Sequence, residues 1–285
     1  MLRINVVSIF PDFFRGPLGL SIPARAAAAG AVEYRLVDLR DFTHDRHRTV
    51  DDYPYGGGAG MVMKPAPFFE AVESLGARAP IVLLAARGRR FTQADAVRFA
   101  AGSELTLLCG HYKDVDERVA THLATEQLSI GDFVLTGGEP AALAIIDATV
   151  RLLPGAMSDL DSAHTDSFWG GSGVSAPSFT RPPEYRGLRV PEVLLSGDHA
   201  QVEAWRRAEA ARLTAERDAA QAAADQAAER ARAEWLAARE RDDERQREER
   251  RQAAREEQAR ALARKAARRA RESGGTGDPP GGPLP

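Results

Sequence analysis

Three short apolar segments constrain the fold of this chain more than any other feature. Residues 3–9, 81–86 and 104–109 are hydrophobic along most of their length, with little alternation between apolar and polar side chains. Gly, Pro or charged residues follow each of them. Segments of this kind are typical of strands that are covered on both faces. We therefore expect a sheet buried between two layers of other elements.

Helical patterns alternate with these segments. Residues 65–75 begin with a proline, and residues 92–101 begin with Thr92, which is a favourable N-cap. An apolar helix is expected over residues 139–153, and the spacing Thr136-x-x-Glu139 matches a capping box at its start. Alternating strands and helices predict an α/β fold with a mainly parallel sheet.

Composition excludes several classes of protein. The 285 residues are 44% hydrophobic and 28% charged, which is close to globular averages and excludes collagen-like and wholly disordered chains. Cys109 is the only cysteine, so no internal disulfide can form. No apolar run approaches the roughly 18 residues of a membrane span. We expect a cytoplasmic protein that does not associate with membranes.

Changes in composition divide the chain into five segments. Residues 1–157 hold the strand and helix patterns, and residues 158–178, rich in Ser, Asp and Gly, are typical of a linker or lid. Residues 179–207 form a small compact segment. Residues 208–272 are rich in Ala, Arg and Glu and predict a helical extension. Residues 273–285 are rich in Gly and Pro and predict a disordered tail.

The expected helical extension has almost no apolar face. From residue 207 to residue 271, 23 of the 65 residues are alanine. Too few large side chains occur there for a coiled-coil seam. Pairs such as Glu256 and Arg260, spaced i,i+4, support a helix that exposes nearly all its surface. The large apolar side chains in this stretch are Leu213, Trp235, Leu236 and Leu262.

Two neighbouring segments are candidates for ligand binding. Residues 55–61 are rich in glycine but do not match the dinucleotide-binding fingerprint, so a flexible loop is the alternative to a binding role. Residues 40–48 contain three Arg, two His and two Asp. They fit an anion or RNA patch, a salt-bridge cluster, or a metal site at His44 and His47. Because the net charge is −3, RNA binding requires such a local patch.

Small residues also follow three of the expected strands. Residues 85–88, 109–112 and 130–138 each contain glycine and lie at the carboxyl ends of strands. In open α/β sheets ligands collect at that edge, and glycine lets the backbone approach a nucleoside closely. Three such loops together predict a nucleotide-like ligand. Asp166 lies in the polar linker. Composition alone predicts that its side chain is solvated or caps a helix.

Ten motifs, taken together, are more specific than any one of them. They occupy residues 9–11, 40–52, 55–63, 109–112, 116–119, 129–139, 151–155, 166–168, 180–182 and 190–199. In this order, across about 205 residues, they resemble the bacterial tRNA (guanine-N(1)-)-methyltransferase family, TrmD.

The resemblance implies a SPOUT-class methyltransferase that uses S-adenosyl-L-methionine (SAM). Residues 1–157 would be a SAM-binding domain with a deep trefoil knot, and residues 179–207 the remnant of a C-terminal tRNA-binding domain. An obligate homodimer with its active site at the subunit interface is also implied. The implied SAM-binding residues are Leu84, Gly110, Tyr112, Ile130, Gly131, Asp132, Phe133, Val134, Leu135, Gly137 and Gly138.

The resemblance also implies the reaction. Asp166 would be the general base, and Arg151 its electrostatic partner, in methylation of N(1) of the guanosine immediately 3′ of the anticodon. Guanine N(1) carries a proton at neutral pH, and a carboxylate within hydrogen-bond reach can take it. Assistance by Mg²⁺ is implied as well, without a dedicated set of ligands. The residues implied to contact the tRNA anticodon stem-loop are His44, Arg46, Arg48, Asp51, Gly57 and Gly58.

Two other functions fit the same motifs. One is a SPOUT-like RNA-binding or scaffold protein with weak or no catalysis, and the other is a methyltransferase of another RNA base. The chain departs from the family pattern in three places. Lys113-Asp114 stands where Glu-Gly is usual, Ala85-Ala86 stands where Ser-Pro or Thr-Pro is usual, and the helical extension follows Arg207.

Overall fold

The structure is a computed structural model that describes residues 1–157, 165–171 and 173–273. The chain divides into two units, Met1–Ala211 and Arg212–Pro285. Part of the expected linker, residues 158–164 and 172, lies outside the described residues, and so does the expected disordered tail from residue 274 onward. The five-segment division of the sequence therefore stays a prediction.

The elements alternate between strands and helices, as the sequence predicts. The strands within the described residues are β1 (Leu2–Ser8), β2 (Val32–Asp38), β3 (Asp51–Asp52), β4 (Val62–Met63), β5 (Ile81–Arg90), β6 (Glu104–Cys109), β7 (Asp114–Val115), β8 (Glu126–Ser129), β9 (Glu184–Tyr185) and β10 (Leu188–Arg189). The α-helices there are α1 (Asp12–Leu18), α2 (Ser21–Ala28), α3 (Pro65–Leu75), α4 (Gln93–Ala100), α5 (Glu117–His122), α6 (Glu139–Val150) and α7 (His199–Ser273). Short 3₁₀ helices span Leu39–Phe42 and Glu192–Leu195.

Five parallel strands form the central sheet in the order β2-β1-β6-β5-β8. The three strands expected from the sequence are confirmed as β1, β5 and β6. The mainly parallel α/β fold is confirmed with them. A smaller sheet has the order β3-β4-β7, and along the chain its strands lie between those of the central sheet. Strands β9 and β10 form a hairpin.

Both faces of the central sheet are covered. Ile4 and Val6 of β1 belong to a core that includes Ile145 of α6, whereas Val7 of the same strand belongs to a second core with Phe68 of α3. Successive side chains of a strand point to opposite faces, so β1 contributes to both cores. This burial explains why the strands are continuously apolar rather than alternating.

The three helices that the sequence predicts before residue 158 are present, but α6 differs from the prediction in its N-cap and in its last residue. Helices α3 and α4 are confirmed, and Thr92 caps α4 through a capping box with Asp95. The expected capping box at Thr136 is wrong, because Gly138 is the N-cap of α6 and no side chain caps it. The Glu139 carboxylate instead accepts a hydrogen bond from Ser8 Oγ at 2.6 Å. The helix ends at Val150, and residues 151–153 continue as a turn.

The expected helical extension is confirmed as part of α7, a continuous helix from His199 to Ser273. Its described side chains include none that is buried, and Trp235 and Leu236 are exposed. The i,i+4 pair of Arg260 and Glu256 is present, with Nη2 and Oε2 3.9 Å apart. Within the described ranges, every helix is too short or too polar to cross a membrane.

Candidate active site

A cavity of about 250 Å³ lies where β5, β6 and β8 end. The order of the strands changes sides at this point: β6 pairs with one side of β5, and β8, the next strand of the central sheet along the chain, pairs with the other side. Such reversals leave a crevice at the carboxyl edge of a parallel sheet, where ligands bind. The volume is near the lower end of the range for small-molecule sites, about 300 Å³.

Most of the residues predicted to hold a nucleotide-like ligand line this cavity. All three small-residue loops contribute to its wall, which confirms that they meet at one edge of the sheet. The predicted residues that line it are Leu84, Gly110, Tyr112, Ile130, Val134, Leu135, Gly137 and Gly138.

Three other predicted residues lie beside the cavity wall instead. Gly131 is held by Ser129, whose Oγ donates to its carbonyl oxygen at 2.8 Å. Asp132 forms an ion pair with Arg90. The ring of Phe133 covers Gly131, where a Cβ would lie 2.3 Å from Phe133 Cε1. Their contact with a ligand stays a prediction.

An interruption in β5 places Ala85 and Ala86 in the cavity wall. Leu84 pairs with Leu128 of β8, and Arg89 then pairs with the same residue, so the four intervening residues leave the ladder. Gly88 passes so close to β8 that a Cβ there would lie 2.5 Å from the Leu128 backbone nitrogen. Glycine at this position is therefore required by the crossing of two backbone segments.

The glycines of the wall serve loop packing more than ligand approach. Gly138 N donates to the Gly110 carbonyl at 2.9 Å, which joins two of the loops. A Cβ on Gly138 would lie 2.9 Å from Cys109 Cα, and one on Gly137 would lie 2.4 Å from His111 Cδ2. These atoms belong to the protein, so the loops can pack together in the cavity wall only because they carry no Cβ at these points.

A buried carboxylate that the sequence analysis assigned to helix capping supports the cavity from behind. Glu139 is 3% exposed, and its Oε2 lies 3.8 Å from His111 Nε2 while its Oε1 is bound by Ser8. Burial, and to a lesser degree the charge of Glu139, raises the pKa of the Cys109 thiol well above its usual value. The buried thiol is therefore neutral and packs as a small hydrophobic group.

Asp166 and Arg151 form an ion pair, with Arg151 Nη2 donating to Asp166 Oδ2 at 2.6 Å. Asp166 lines a second, larger cavity of about 1230 Å³ rather than the first, as far as the described residues show. Three arginines, Arg181, Arg206 and Arg207, line the same cavity. The structure thus brings the two expected catalytic residues together, but it does so at a distinct place on the surface.

The segment of residues 40–60 contains both ion pairs and an exposed loop. His44 Nε2 lies 2.8 Å from Glu70 Oε2, and Arg48 is bound to Asp41. These contacts favour the interpretation of residues 40–48 as a salt-bridge cluster. Contact of this segment with RNA stays a prediction. Arg46, Gly57 and Gly58 are exposed, both glycines have positive φ, and Asp51 is in β3.

A dedicated metal site finds no support in the described part of the chain, which contains no group of three or more His, Cys, Asp or Glu placed to hold an ion. The interpretation of His44 and His47 as metal ligands is therefore unsupported as well. The residues therefore do not fit a resident Mg²⁺, and no step of the reaction is assigned to one.

The fold and the cavity define a class: an α/β protein with a cavity at the carboxyl edge of a parallel sheet, the edge where ligands bind in such folds. The family model described as tRNA (Guanine-1)-methyltransferase TrmD matches residues 2–221. The chain belongs to this family. The match continues beyond Arg207, so the family sequence extends into α7 further than the sequence analysis placed it.

Curated relatives agree with the family match. A protein of Gloeobacter violaceus is 52% identical over 219 residues, which cover 76% of this chain and 96% of the relative. A protein of Dehalococcoides mccartyi is 49% identical over 220 residues, 76% of this chain and 88% of the relative. A protein of Bacillus subtilis is 48% identical over 217 residues, 75% and 89% of the two chains. All three are named tRNA (guanine-N(1)-)-methyltransferase.

Proposed function

We propose that this protein methylates N(1) of the guanosine immediately 3′ of the anticodon in tRNA. One observation carries the proposal: a relative named tRNA (guanine-N(1)-)-methyltransferase is matched over 96% of its length at 52% identity. The cavity supports it, because backbone groups of three loops and apolar side chains such as Leu84 and Ile130 suit an adenosine moiety. A tRNA substrate is consistent with action in the cytoplasm.

SAM, when bound, would supply a methyl group on its sulfonium sulfur, and the S–CH₃ bond would break to release a neutral thioether. The task of the protein is therefore to position both substrates and to remove one proton. The Asp166 carboxylate takes the proton from guanine N(1) as this nitrogen attacks the methyl carbon. Negative charge then develops toward the guanine O6, and the Arg151 guanidinium, 2.6 Å from Asp166 Oδ2, stabilises it.

The active site in this proposal lies between two subunits of a homodimer. The support is that Asp166 lines the second cavity, whereas residues of the loops Gly110–Tyr112 and 130–138 line the first. Exposed apolar side chains near the first cavity, Phe133 and Val134 among them, fit a surface that a second subunit covers. Asp166 of one subunit would then reach the SAM of the other.

A deep trefoil knot around the SAM site also belongs to the proposal. Its support is the match of residues 2–221 to the TrmD family, since the resemblance to this family implies the knot. The exposed loop with Gly57 and Gly58, together with the arginines of the second cavity, would contact the anticodon stem-loop.

Methyl transfer to a defined tRNA tests the proposal. The full-length protein is incubated with methyl-labelled SAM and an unmodified tRNA that has guanosine 3′ of the anticodon, and with the same tRNA carrying adenosine there. We expect label in the first tRNA only. Binding of SAM with no label in any tRNA would favour an RNA-binding or scaffold role. Primer-extension stops at other positions in total RNA would instead indicate a different target base.

A further inference from the structure

The wall of the first cavity contains three side chains with permanent charges: Arg87, Lys113 and Asp114. Arg87 is already paired, since its Nη2 lies 2.5 Å from Glu117 Oε2. Lys113 is exposed and forms no ion pair with the described residues. Asp114 is exposed as well, and its Oδ1 accepts a hydrogen bond from Val115 N at 2.8 Å. A free cation and an anion therefore occupy adjacent positions in the wall.

The backbone beneath these two residues is fixed. Lys113 N donates to the Met61 carbonyl at 3.0 Å, and Asp114 pairs with Val62 where β7 joins β4. The first carbons of the Lys113 side chain lie against Gly60, where a Cβ would be 3.0 Å from Lys113 Cβ. A fixed backbone lowers the entropy lost when the side chains order around a ligand.

The expected ligand carries a complementary pair of charges. SAM consists of an adenosine part and an amino-acid part, and the amino-acid part ends in an α-carboxylate and an α-ammonium group. We propose that Lys113 binds the α-carboxylate of SAM and that Asp114 binds its α-ammonium. The inference rests on the proposed function, because it assumes that SAM occupies this cavity. It also gives a role to the Lys113-Asp114 pair, at which the chain departs from the family pattern.

Ligands that lack one or both charged groups test this assignment. Dissociation constants of the full-length protein are measured by calorimetry for SAM, for decarboxylated SAM, which keeps the amine, and for 5′-methylthioadenosine, which lacks the amino-acid part. Lys113→Met should weaken SAM binding about fivefold, which is typical of an exposed charge pair. It should leave the other two ligands within about twofold, because neither has a carboxylate to lose.

Asp114→Asn should weaken SAM and decarboxylated SAM and leave 5′-methylthioadenosine unaffected. Arg118→Gln is the matched control, because Arg118 pairs with Asp116 at 2.7 Å outside the cavity wall. It should change none of the three constants. Melting temperatures of all variants verify that each is folded.

Three results would overturn the assignment. Lys113→Met could weaken all three ligands equally, which would indicate a structural role, or it could weaken none of them. Alternatively, Arg87→Gln could remove the preference for the carboxylate, which would assign this group to Arg87. Wild-type protein that binds none of the three ligands would instead contradict the proposed function. Lys113→Met could also weaken all three ligands equally while methyl transfer stays normal. That result would contradict only the assignment of Lys113 and Asp114 to the charged groups of SAM.

Discussion

The sheet-containing region and helix α7 are both rich in helix-forming residues, yet they are stabilised in different ways. In residues 1–157, side chains from six helices, α1 to α6, belong to the two cores that cover the central sheet, and residues such as Phe68 and Ile145 are fully buried. In α7, none of the described side chains is buried. Its stability therefore comes from local propensity and from i,i+4 pairs such as Arg212 with Glu216.

This difference indicates where single substitutions matter. In a packed region each atom is constrained by neighbours from distant parts of the chain, so one added or removed group changes many contacts. In a solvated helix each residue contacts only its own turn and the adjacent ones. The functional residues proposed above depend on the packed region, and the predictions below test the contrast from the largest expected effect to the smallest.

Replacement of one carboxylate should have the largest effect. Asp166→Asn removes the proposed proton acceptor but keeps the size of the side chain, so turnover of unmodified tRNA should fall by about 100-fold or more. The dissociation constant of SAM should stay within about twofold, because the proposed role of Asp166 is to take a proton from guanine rather than to hold SAM. Single-turnover assays and calorimetry measure the two quantities. Full activity in this variant would refute the assignment of the base.

A single methyl group in the cavity wall should come next. Gly138→Ala places a Cβ 2.9 Å from Cys109 Cα and 3.2 Å from Leu84 Cβ, so the loop must shift. Overpacking of this kind costs about 1–3 kcal/mol, measured as the free energy of unfolding in urea. SAM binding should weaken as well, because the same loop forms the wall.

The matched substitution is Gly16→Ala in α1, where a Cβ would have no atom within 4 Å. It should leave SAM binding unchanged and change the free energy of unfolding by less than about 1 kcal/mol, because the helix preference of alanine over glycine is opposed by crowding of the new Cβ against Pro17. Equal effects of the two substitutions would show that the packing at Gly138 does not determine the shape of the cavity.

The ion-pair cluster around Asp95 tests the contrast through stability alone. Asp95 is 6% exposed, Arg89 binds both its oxygens at 2.6 and 2.8 Å, and its Oδ2 accepts from Thr92 N at 3.0 Å. Asp95→Asn should lower the free energy of unfolding at pH 7 by about 2 kcal/mol, less than for a fully buried pair, because Arg89 is half exposed. Asp12→Asn, which removes an exposed pair with Arg15, should cost less than about 0.5 kcal/mol.

The pH dependence of this effect has a defined sign. Hydrogen bonds from Arg89 hold the pKa of Asp95 far below its usual value. A carboxylate with a lowered pKa stabilises the fold above its unfolded pKa, about 3.9, and this contribution is lost as the pH falls further. The difference in unfolding free energy between wild type and Asp95→Asn should thus be constant from pH 7 to pH 5 and shrink below about pH 4. A difference that grows on acidification would contradict this cause.

The sequence predicts those parts of the structure that depend on local pattern. The buried strands β1, β5 and β6 were evident because both faces of a parallel strand must be apolar. The N-cap Thr92 was evident because its capping box lies within four residues. Strand β2 was not identified: its Glu33 and Arg35 alternate with apolar residues, since β2 lies at the edge of the sheet and is only partly buried.

The parts that were missed depend on contacts between distant residues. Glu139 matched a capping pattern, but its carboxylate bonds to Ser8, 131 positions earlier in the chain. No local signal distinguishes these two uses of a glutamate at a helix start. The same holds for the glycines of the cavity wall, whose need for a missing Cβ arises where one loop meets another. The place of Asp166 in a second cavity likewise follows from tertiary structure alone.

Removal of the extension should have the smallest effect. A chain that ends at residue 221 keeps the whole family match and every residue proposed to bind SAM. Because none of the described side chains beyond that point is buried, the melting temperature of the remaining protein should change by less than about 2 °C. The affinity for SAM should be unchanged, and circular dichroism should show a lower helix content. In the full-length protein, Trp235→Ala should likewise leave the melting temperature and the affinity for SAM unchanged. A melting temperature lowered by more than about 5 °C would show that α7 stabilises the packed region, so that the two regions could no longer be treated as independent.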